Sequence, residues 1–166
     1  MGNKACAIKK FRTHFRSFGE IWLFTQIILL ITVLPFLFRF LSLPKVMKML
    51  APRNLGVCRN KDLENMKDKI VKFTDYILRH NLWTDKNTCL RRSLVLYHFL
   101  RKLGINVFVC FGVRYNEMLS DREAKKKLEG HAWLLYHGDI FLERNAEVIK
   151  TYTMTYCFSD KMEQIG

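Results

Sequence analysis

Apolar positions are arranged in three different ways along the chain, and each arrangement predicts a different kind of element. Residues 21–38 form an uncharged run, IWLFTQIILLITVLPFLF, which as a helix would reach about 27 Å. From residue 63 the apolar side chains recur every three or four positions, the spacing of one face of an amphipathic helix. Residues 105–113, INVFVCFGV, are nearly all apolar and β-branched or aromatic, which is typical of a buried strand.

Two further helices are indicated by their ends. Residues 44–52 predict a short helix that stops near a proline. A longer helix begins at Thr88–Cys89, where Asn87 or Thr88 can act as the N-cap, and Gly104 suits its C-terminal stop. We therefore expect a helical first half of the chain.

The second half of the chain predicts strands. The polar segment 115–129 is interpreted as a long loop or a short surface helix. After it, GHAWLLY and DIFLE predict two strands joined by a turn at residues 136–139, and TYTMTYCF adds another strand. Helices followed by antiparallel strands predict an α+β fold.

Positive charge is concentrated at the N-terminal end of the chain. The net charge is +13, and residues 1–53 contain a single acid, Glu20, beside a large set of basic residues. These are Lys4, Lys9, Lys10, Arg12, Arg16, Arg39, Lys45, Lys48 and Arg53. We expect a basic, apolar helical extension over residues 1–53 and a second domain over residues 54–166. An anionic partner is plausible, but no nucleic-acid recognition motif is present, so nucleic acid is not the expected partner.

The apolar run at residues 21–38 has three interpretations. It can be a helix buried against the rest of the chain, a helix at a membrane surface, or a membrane span. Thr25, Gln26, Thr32 and Pro35 weaken the case for a span, while the basic flanks suit anionic headgroups. A signal peptide is disfavoured because no convincing small-residue cleavage site follows the run.

The five cysteines are odd in number and include no CxxC pair. This argues against both a disulfide framework and a zinc site. Cys58, Cys110 and Cys157 are therefore expected to be structural thiols in a reducing, cytoplasmic protein that is peripheral to or anchored in a membrane. The histidines also lack metal-ligand spacing, and neither a metal nor a cofactor is predicted.

Cys89 is the strongest candidate for chemistry. It stands in the first turn of a predicted helix, where free N–H groups and the helix dipole favour a thiolate. His131 follows at the start of a predicted strand, and Asp139 or Glu143 lies on the next strand. A thiol, an imidazole and an acid in this order form the layout of a Cys-His-acid hydrolase. Pairing across the turn favours Glu143 over Asp139. The alternative is that Cys89 and His131 are structural.

These residues resemble the transglutaminase-like leader peptidases of lasso-peptide biosynthesis. In that family a Cys-Leu opens a helix that continues with Arg, a small residue and Leu, as do Cys89–Leu90 and Arg92–Ser93–Leu94 here. The family's helix closes with a Leu-Leu-Arg-x-x-Gly-like ending, which Phe99–Leu100–Arg101 and Gly104 match here. Its buried strand ends in Gly-Val, which Gly112–Val113 match. The family's His-Ala-Trp strand, Gly turn and acid are matched by His131–Ala132–Trp133, Gly138 and Glu143. The family's acid is usually Asp, and here it is Glu.

The resemblance implies a transglutaminase-like, papain-like cysteine peptidase core that removes the leader from a ribosomally made precursor peptide. It also implies a separate leader-binding recognition protein and a macrocyclase as partners. Trp83 and Trp133 are the aromatic candidates for substrate contact, although Trp133 also suits the core. Two other functions remain open. One is a non-catalytic module that binds a peptide or a membrane, and the other is acyl transfer by the same triad.

Overall fold

The computed structural model describes residues 18–52, 60–80, 88–116, 127–143 and 145–158. The helices are α1 (Phe18–Phe40), α2 (Leu43–Leu50), α3 (Asn60–His80), α4 (Thr88–Lys102) and α5 (Ala146–Lys150). The strands are β1 (Val107–Asn116), β2 (Lys127–Tyr136), β3 (Asp139–Phe141) and β4 (Thr153–Phe158). The predicted α+β class is confirmed.

The helices share one hydrophobic core with the sheet. The three-and-four spacing in α3 buries Ile70, Phe73 and Ile77 on one face, as predicted. Nearly all of the middle of α4 is buried, from Leu94 to Leu100 apart from His98. One face of α1 enters the same core through Phe24, Ile27, Ile31 and Leu34. The N-terminal helix is therefore packed on the domain rather than standing apart from it.

The other face of α1 is exposed, so neither full burial nor full exposure describes this helix. Among the residues described, α1 alone is long and apolar enough to cross a membrane by length and composition, with a mean hydropathy of 2.3. The same test is passed by core helices and by signal sequences. The expected boundary between residues 53 and 54 falls in 53–59, outside the described residues.

The sheet has four antiparallel strands in the order β3-β2-β1-β4. The predicted hairpin is present, with Tyr136 paired to Asp139 across a two-residue turn. His137 and Gly138 both have positive φ, at 52° and 91°, as the tight turns that suit the twist of a hairpin require. Strand β1 lies in the centre, between β2 and β4, as expected for its apolar sequence.

Several predicted boundaries are wrong. Strand β1 runs to Asn116 and β2 begins at Lys127, so the predicted loop at 115–129 starts and ends inside strands. His131 consequently lies within β2 rather than at its start. The strand predicted for DIFLE ends at Phe141, and the short helix α5 was not predicted. Strands β1 and β2 extend into polar sequence because hydrogen bonding to a neighbouring strand outweighs the weak preference of these residues for strand conformation.

Cys110 and Cys157 are joined by a disulfide, which corrects the prediction of free structural thiols. The two residues are paired directly across β1 and β4, and their Cα atoms lie 4.0 Å apart. The register of these two strands creates the proximity, and a separation of 47 residues in sequence gives no sign of it. The expectation of a reducing compartment depended on unpaired cysteines, and two of them are paired. Cys58 lies outside the described residues.

Candidate active site

The N-terminal end of α4 and the middle of β2 meet at a cleft of about 470 Å³. Cys89 reaches the cleft from the first turn of α4, and its side chain is half-buried. His131 and Glu143 line the same cleft, together with Asp75, Arg92 and Asn145. The structure therefore brings the three predicted triad residues to one cavity. Asn87 and Trp83 lie outside the described residues.

A buried hydrogen bond fixes the cysteine helix to the histidine strand. The Ser93 hydroxyl donates to the carbonyl oxygen of Ala132 at 2.9 Å. Ser93 follows Cys89 by one helical turn and so shares its face of α4. Ala132 directly follows His131 in β2. This bond, made by a buried serine, sets the position of the thiol relative to the imidazole.

The surroundings of His131 are aromatic and positively charged. Its ring lies near Tyr152 and Trp133, with centroid distances of 5.3 and 6.2 Å. Burial lowers the pKa of His131, and the positive charges of Arg114 and Arg92 lower it further. Since both causes disfavour the imidazolium, the neutral ring predominates at neutral pH. A neutral imidazole is the form that can accept a proton.

Arg92 is the centre of an ion-pair network on the cleft wall. Its Nε donates to Asp75 Oδ1 at 2.7 Å and its Nη1 to Glu143 Oε1 at 3.2 Å. Its Nη2 donates to the carbonyl oxygen of Leu142 at 2.9 Å. The network therefore joins α3, α4 and the segment after β3, and it holds Glu143 at the cleft.

The backbone at Leu142 explains how Glu143 reaches the cleft. Leu142 has a φ of 58°, in the left-handed region that large side chains rarely adopt. The chain thus leaves the line of β3 immediately after Phe141, and the Arg92 hydrogen bond to the Leu142 carbonyl holds the bend. Straight continuation of the strand, on which the sequence argument depended, does not occur here.

The competing acid lies elsewhere. Asp139 is exposed and pairs with Tyr136 at the hairpin end of β2. That position is about 17 Å along the strand from His131, at roughly 3.4 Å per residue. Of the two acids considered, Glu143 is the one that the structure brings to the cleft.

Trp133 does not present an open surface to substrate. Its side chain is only 4% exposed and belongs to a small core with Cys110 and Ile149. A Cβ placed on Gly112 would lie 2.6 Å from the Trp133 ring, so the indole occupies space that only glycine leaves open. Trp133 therefore has a packing role, as its sequence context also suited, and its contact with substrate stays a prediction.

Asp75 and the full set of contacts made by Arg92 were not predicted from the sequence. Arg92 entered the prediction through its place in the family pattern, but its partners Asp75 and Glu143 lie 17 and 51 residues away. Asp75 stands between the apolar positions Phe73 and Ile77, where a surface carboxylate is ordinary, so no local pattern marked it. Within the described ranges, no group of three or more His, Cys, Asp or Glu could hold a metal ion.

Comparison with known proteins gives one match. The family model described as "Transglutaminase-like superfamily" matches residues 30–157, which is more than half of the chain. The match begins within α1 and includes Cys89, His131 and Glu143. No curated protein and no solved structure gave a match.

Proposed function

Because the chain belongs to the transglutaminase-like superfamily, we propose that it is a cysteine peptidase in which Cys89 is the nucleophile, His131 the general base and Glu143 the acid that orients His131. Superfamily members are generally cysteine peptidases or transferases. The observation that carries the proposal is that the Cys89 side chain, at a helix N-terminus, and the His131 ring, on a neighbouring strand, line the same cleft.

The proposed reaction proceeds through a thioester. His131 takes the thiol proton as Cys89 Sγ bonds to the carbonyl carbon of a peptide. The C–N bond then breaks, and the leaving amine receives the proton from His131. Water attacks the thioester with His131 again as base, which releases a carboxylic acid and restores the thiol. The backbone N–H of Cys89 is the natural donor to the developing oxyanion.

The electrostatics of His131 support the role of base. Its pKa lies below the ordinary value of about 6.5, so the ring is ready to accept a proton at neutral pH. Cations beside an imidazole oppose its protonation, and the orienting acid offsets that effect when the imidazolium forms. Glu143 is held in the cleft by Arg92, and we assign Arg92 as a positioning residue that acts through Glu143.

The proposed substrate is the leader segment of a ribosomally made precursor peptide, as in lasso-peptide maturation. The motifs from Cys89–Leu90 to Glu143 occur in the same order along the chain as in the lasso-peptide leader peptidases, and this supports the proposed specificity. A separate leader-binding recognition protein and a macrocyclase would be the partners, in the cytoplasm. Acyl transfer is the second candidate, because the same thioester gives a new amide if an amine replaces water.

The first experiment measures alkylation of Cys89 against pH by mass spectrometry, in the wild type, in His131→Asn and in His137→Asn. His137 is exposed at the hairpin turn and provides the matched control. We expect the pH dependence of the Cys89 rate to change in His131→Asn and to stay unchanged in His137→Asn. Equal behaviour of all three proteins would mean that His131 does not act on the thiol, which would leave a non-catalytic binding module as the better account.

The second experiment supplies a precursor peptide and its recognition protein to the wild type and to Cys89→Ala. Cleavage should vanish in the alanine variant while its unfolding transition remains close to that of the wild type. Product masses distinguish the two reactions, since hydrolysis adds water and transfer adds an amine. Cleavage by Cys89→Ala at the wild-type rate would refute the nucleophile assignment.

A further inference from the structure

Helix α1 has two apolar faces, and the parts of the chain that the structure describes cover one of them. The covered face packs into the core. The uncovered face, here called the outer face, comprises Phe18, Ile21, Trp22, Ile28, Leu29, Val33, Phe36 and Phe40. Trp22, Leu29 and Phe36 are 66%, 62% and 61% exposed, and Phe40 is 78% exposed. Scattered apolar residues on a surface are ordinary, but a contiguous row along a whole helix indicates a partner.

The two threonine hydroxyls on this side of α1 are hydrogen-bonded within the helix. The Thr25 hydroxyl donates to the Ile21 carbonyl oxygen and the Thr32 hydroxyl to the Ile28 carbonyl oxygen, each at 2.8 Å. No charged residue occurs between Glu20 and Arg39. An apolar medium can therefore cover the outer face without stripping water from a charge or from these hydroxyl donors.

Positive charge borders the outer face. Arg39 is exposed at the end of α1, and Lys45 and Lys48 are exposed on α2. Lys102, at the end of α4, lines a groove of about 280 Å³ together with Leu29 and Val33 of α1. An uncharged apolar row edged by Lys and Arg matches the boundary between acyl chains and anionic headgroups.

We propose that the outer face of α1 lies on the surface of a membrane that contains anionic lipids, with the helix axis in the plane of the interface. Its apolar side chains enter the acyl boundary, and Arg39, Lys45, Lys48 and Lys102 meet the headgroups. The remainder of the domain stays in water on the other side of the helix. This proposal does not depend on the chemistry proposed for the cleft.

The contacts of the covered face favour a helix that lies on the membrane over one that crosses it. Glu20 forms an ion pair with Lys69 of α3 at 2.7 Å. The Phe24 ring packs edge-on against Phe73 of α3, with centroids 5.3 Å apart. Since α3 carries many charged residues, a crossing helix would have to leave α3 and expose the core that it covers.

The experiment is flotation of the full-length protein with vesicles. One vesicle is made of phosphatidylcholine with phosphatidylglycerol in equal parts, and the other of phosphatidylcholine alone. The outer-face variant is Trp22→Ser with Phe36→Ser, and its matched control is Tyr115→Ser with Leu128→Ser, two apolar residues exposed on the sheet. The charge variant is Lys45→Glu with Lys48→Glu, and its control is Lys150→Glu.

We expect the wild type to float with the anionic vesicles, and less with phosphatidylcholine or in high salt. The outer-face variant should bind about tenfold or more weakly, since two large apolar side chains no longer enter lipid. The charge variant should also bind about tenfold more weakly, and both controls should bind like the wild type. A thermal unfolding scan of each variant checks that the fold is intact.

Three results would overturn the proposal. The outer-face variant could bind as well as its control. The wild type could ignore vesicles yet form dimers in sedimentation velocity that the outer-face variant abolishes, which would assign the face to a second copy of this chain. Protein expressed in cells could stay in membranes during alkaline extraction, which would indicate a span.

Discussion

The cleft and the outer face of α1 depart from the usual distribution of side chains in opposite directions. In the cleft, charged side chains are withdrawn from water, and those of Arg92, Asp75 and Glu143 are only 13%, 17% and 14% exposed. On α1, large apolar side chains are left in water. A buried charge and an exposed apolar row are both more informative than a buried leucine or a surface lysine.

The two regions differ in what offsets the cost of these unusual placements. In the cleft, the cost of shielding charged groups from water is offset within the chain, because Arg92 gives both carboxylates a cationic partner. No described part of the chain covers the outer face, so we expect a partner to offset the exposure of its apolar side chains. We therefore expect the loss of Arg92 from this network to lower folding stability, and substitutions on the outer face to change association while stability stays constant. The following predictions test that division, from the largest expected effect to the smallest.

Together with Ile31→Ala, Arg92→Met should produce one of the two largest losses of stability. It removes a cationic partner of both Asp75 and Glu143, two carboxylates largely shielded from water, which should lower the free energy of unfolding by about 3 kcal/mol. Urea denaturation gives the value. Arg79→Met is the matched control, because Arg79 lines the same cleft but is exposed, and a change within about 0.5 kcal/mol is expected. Equal midpoints for the two variants would contradict the network.

Ile31→Ala should lower the free energy of unfolding by roughly 2–5 kcal/mol, because Ile31 is fully buried on the covered face of α1. Leu29→Ala, two residues earlier on the outer face, should change it by less than about 0.5 kcal/mol. The pair also tests whether α1 is part of the folded domain. A small effect of Ile31→Ala would mean that the helix is an appendage whose removal the domain tolerates.

Gly112→Ala should cost about 1–3 kcal/mol, since the new methyl group would meet the Trp133 ring and the Thr153 carbonyl oxygen. Gly130→Ala is the control in the adjacent strand, where a Cβ meets nothing within 4 Å. Thermal unfolding of both variants measures the difference. If both are equally tolerated, Trp133 is free to move and its packing role is wrong.

The pKa of His131 should show the smallest effect, because salt and water screen a partly exposed cation. Arg114→Met removes a positive charge that disfavours the imidazolium, and it leaves Glu129 without that partner, so the pKa should rise. Arg114→Lys keeps the charge and should leave the pKa closer to the wild-type value. Titration of the His131 ring by NMR measures all three. An unchanged pKa in Arg114→Met would remove Arg114 from the account.

Local patterns predicted the elements well where burial is periodic. The spacing from Leu63 to Ile77 gave α3, the apolar run after Gly104 gave β1, and the residues around Gly138 gave the hairpin. Each of these signals is contained within a few residues, so the backbone conformation follows from neighbours in sequence. The position of Cys89 in the first turn of α4 was predictable for the same reason.

What the sequence did not reveal depends on residues that are distant in the chain. The disulfide requires the register of β4 against β1, and the Arg92 network requires α3 and the segment after β3 to meet beside α4. The left-handed backbone at Leu142 is opposed by its own side chain and is held by a contact made 50 residues away. Such features arise from tertiary packing, so local propensity gave no sign of them.

The Cys110–Cys157 bond closes a covalent ring that contains His131 and Glu143 and leaves Cys89 outside it. A single proteolytic cut between Cys110 and His131 would place the proposed nucleophile and the proposed base on different polypeptides. The two pieces would still migrate as one species on a gel without reductant and separate when reductant is added. With its disulfide closed, a domain cut at this point thus keeps both halves of the cleft in one covalent molecule.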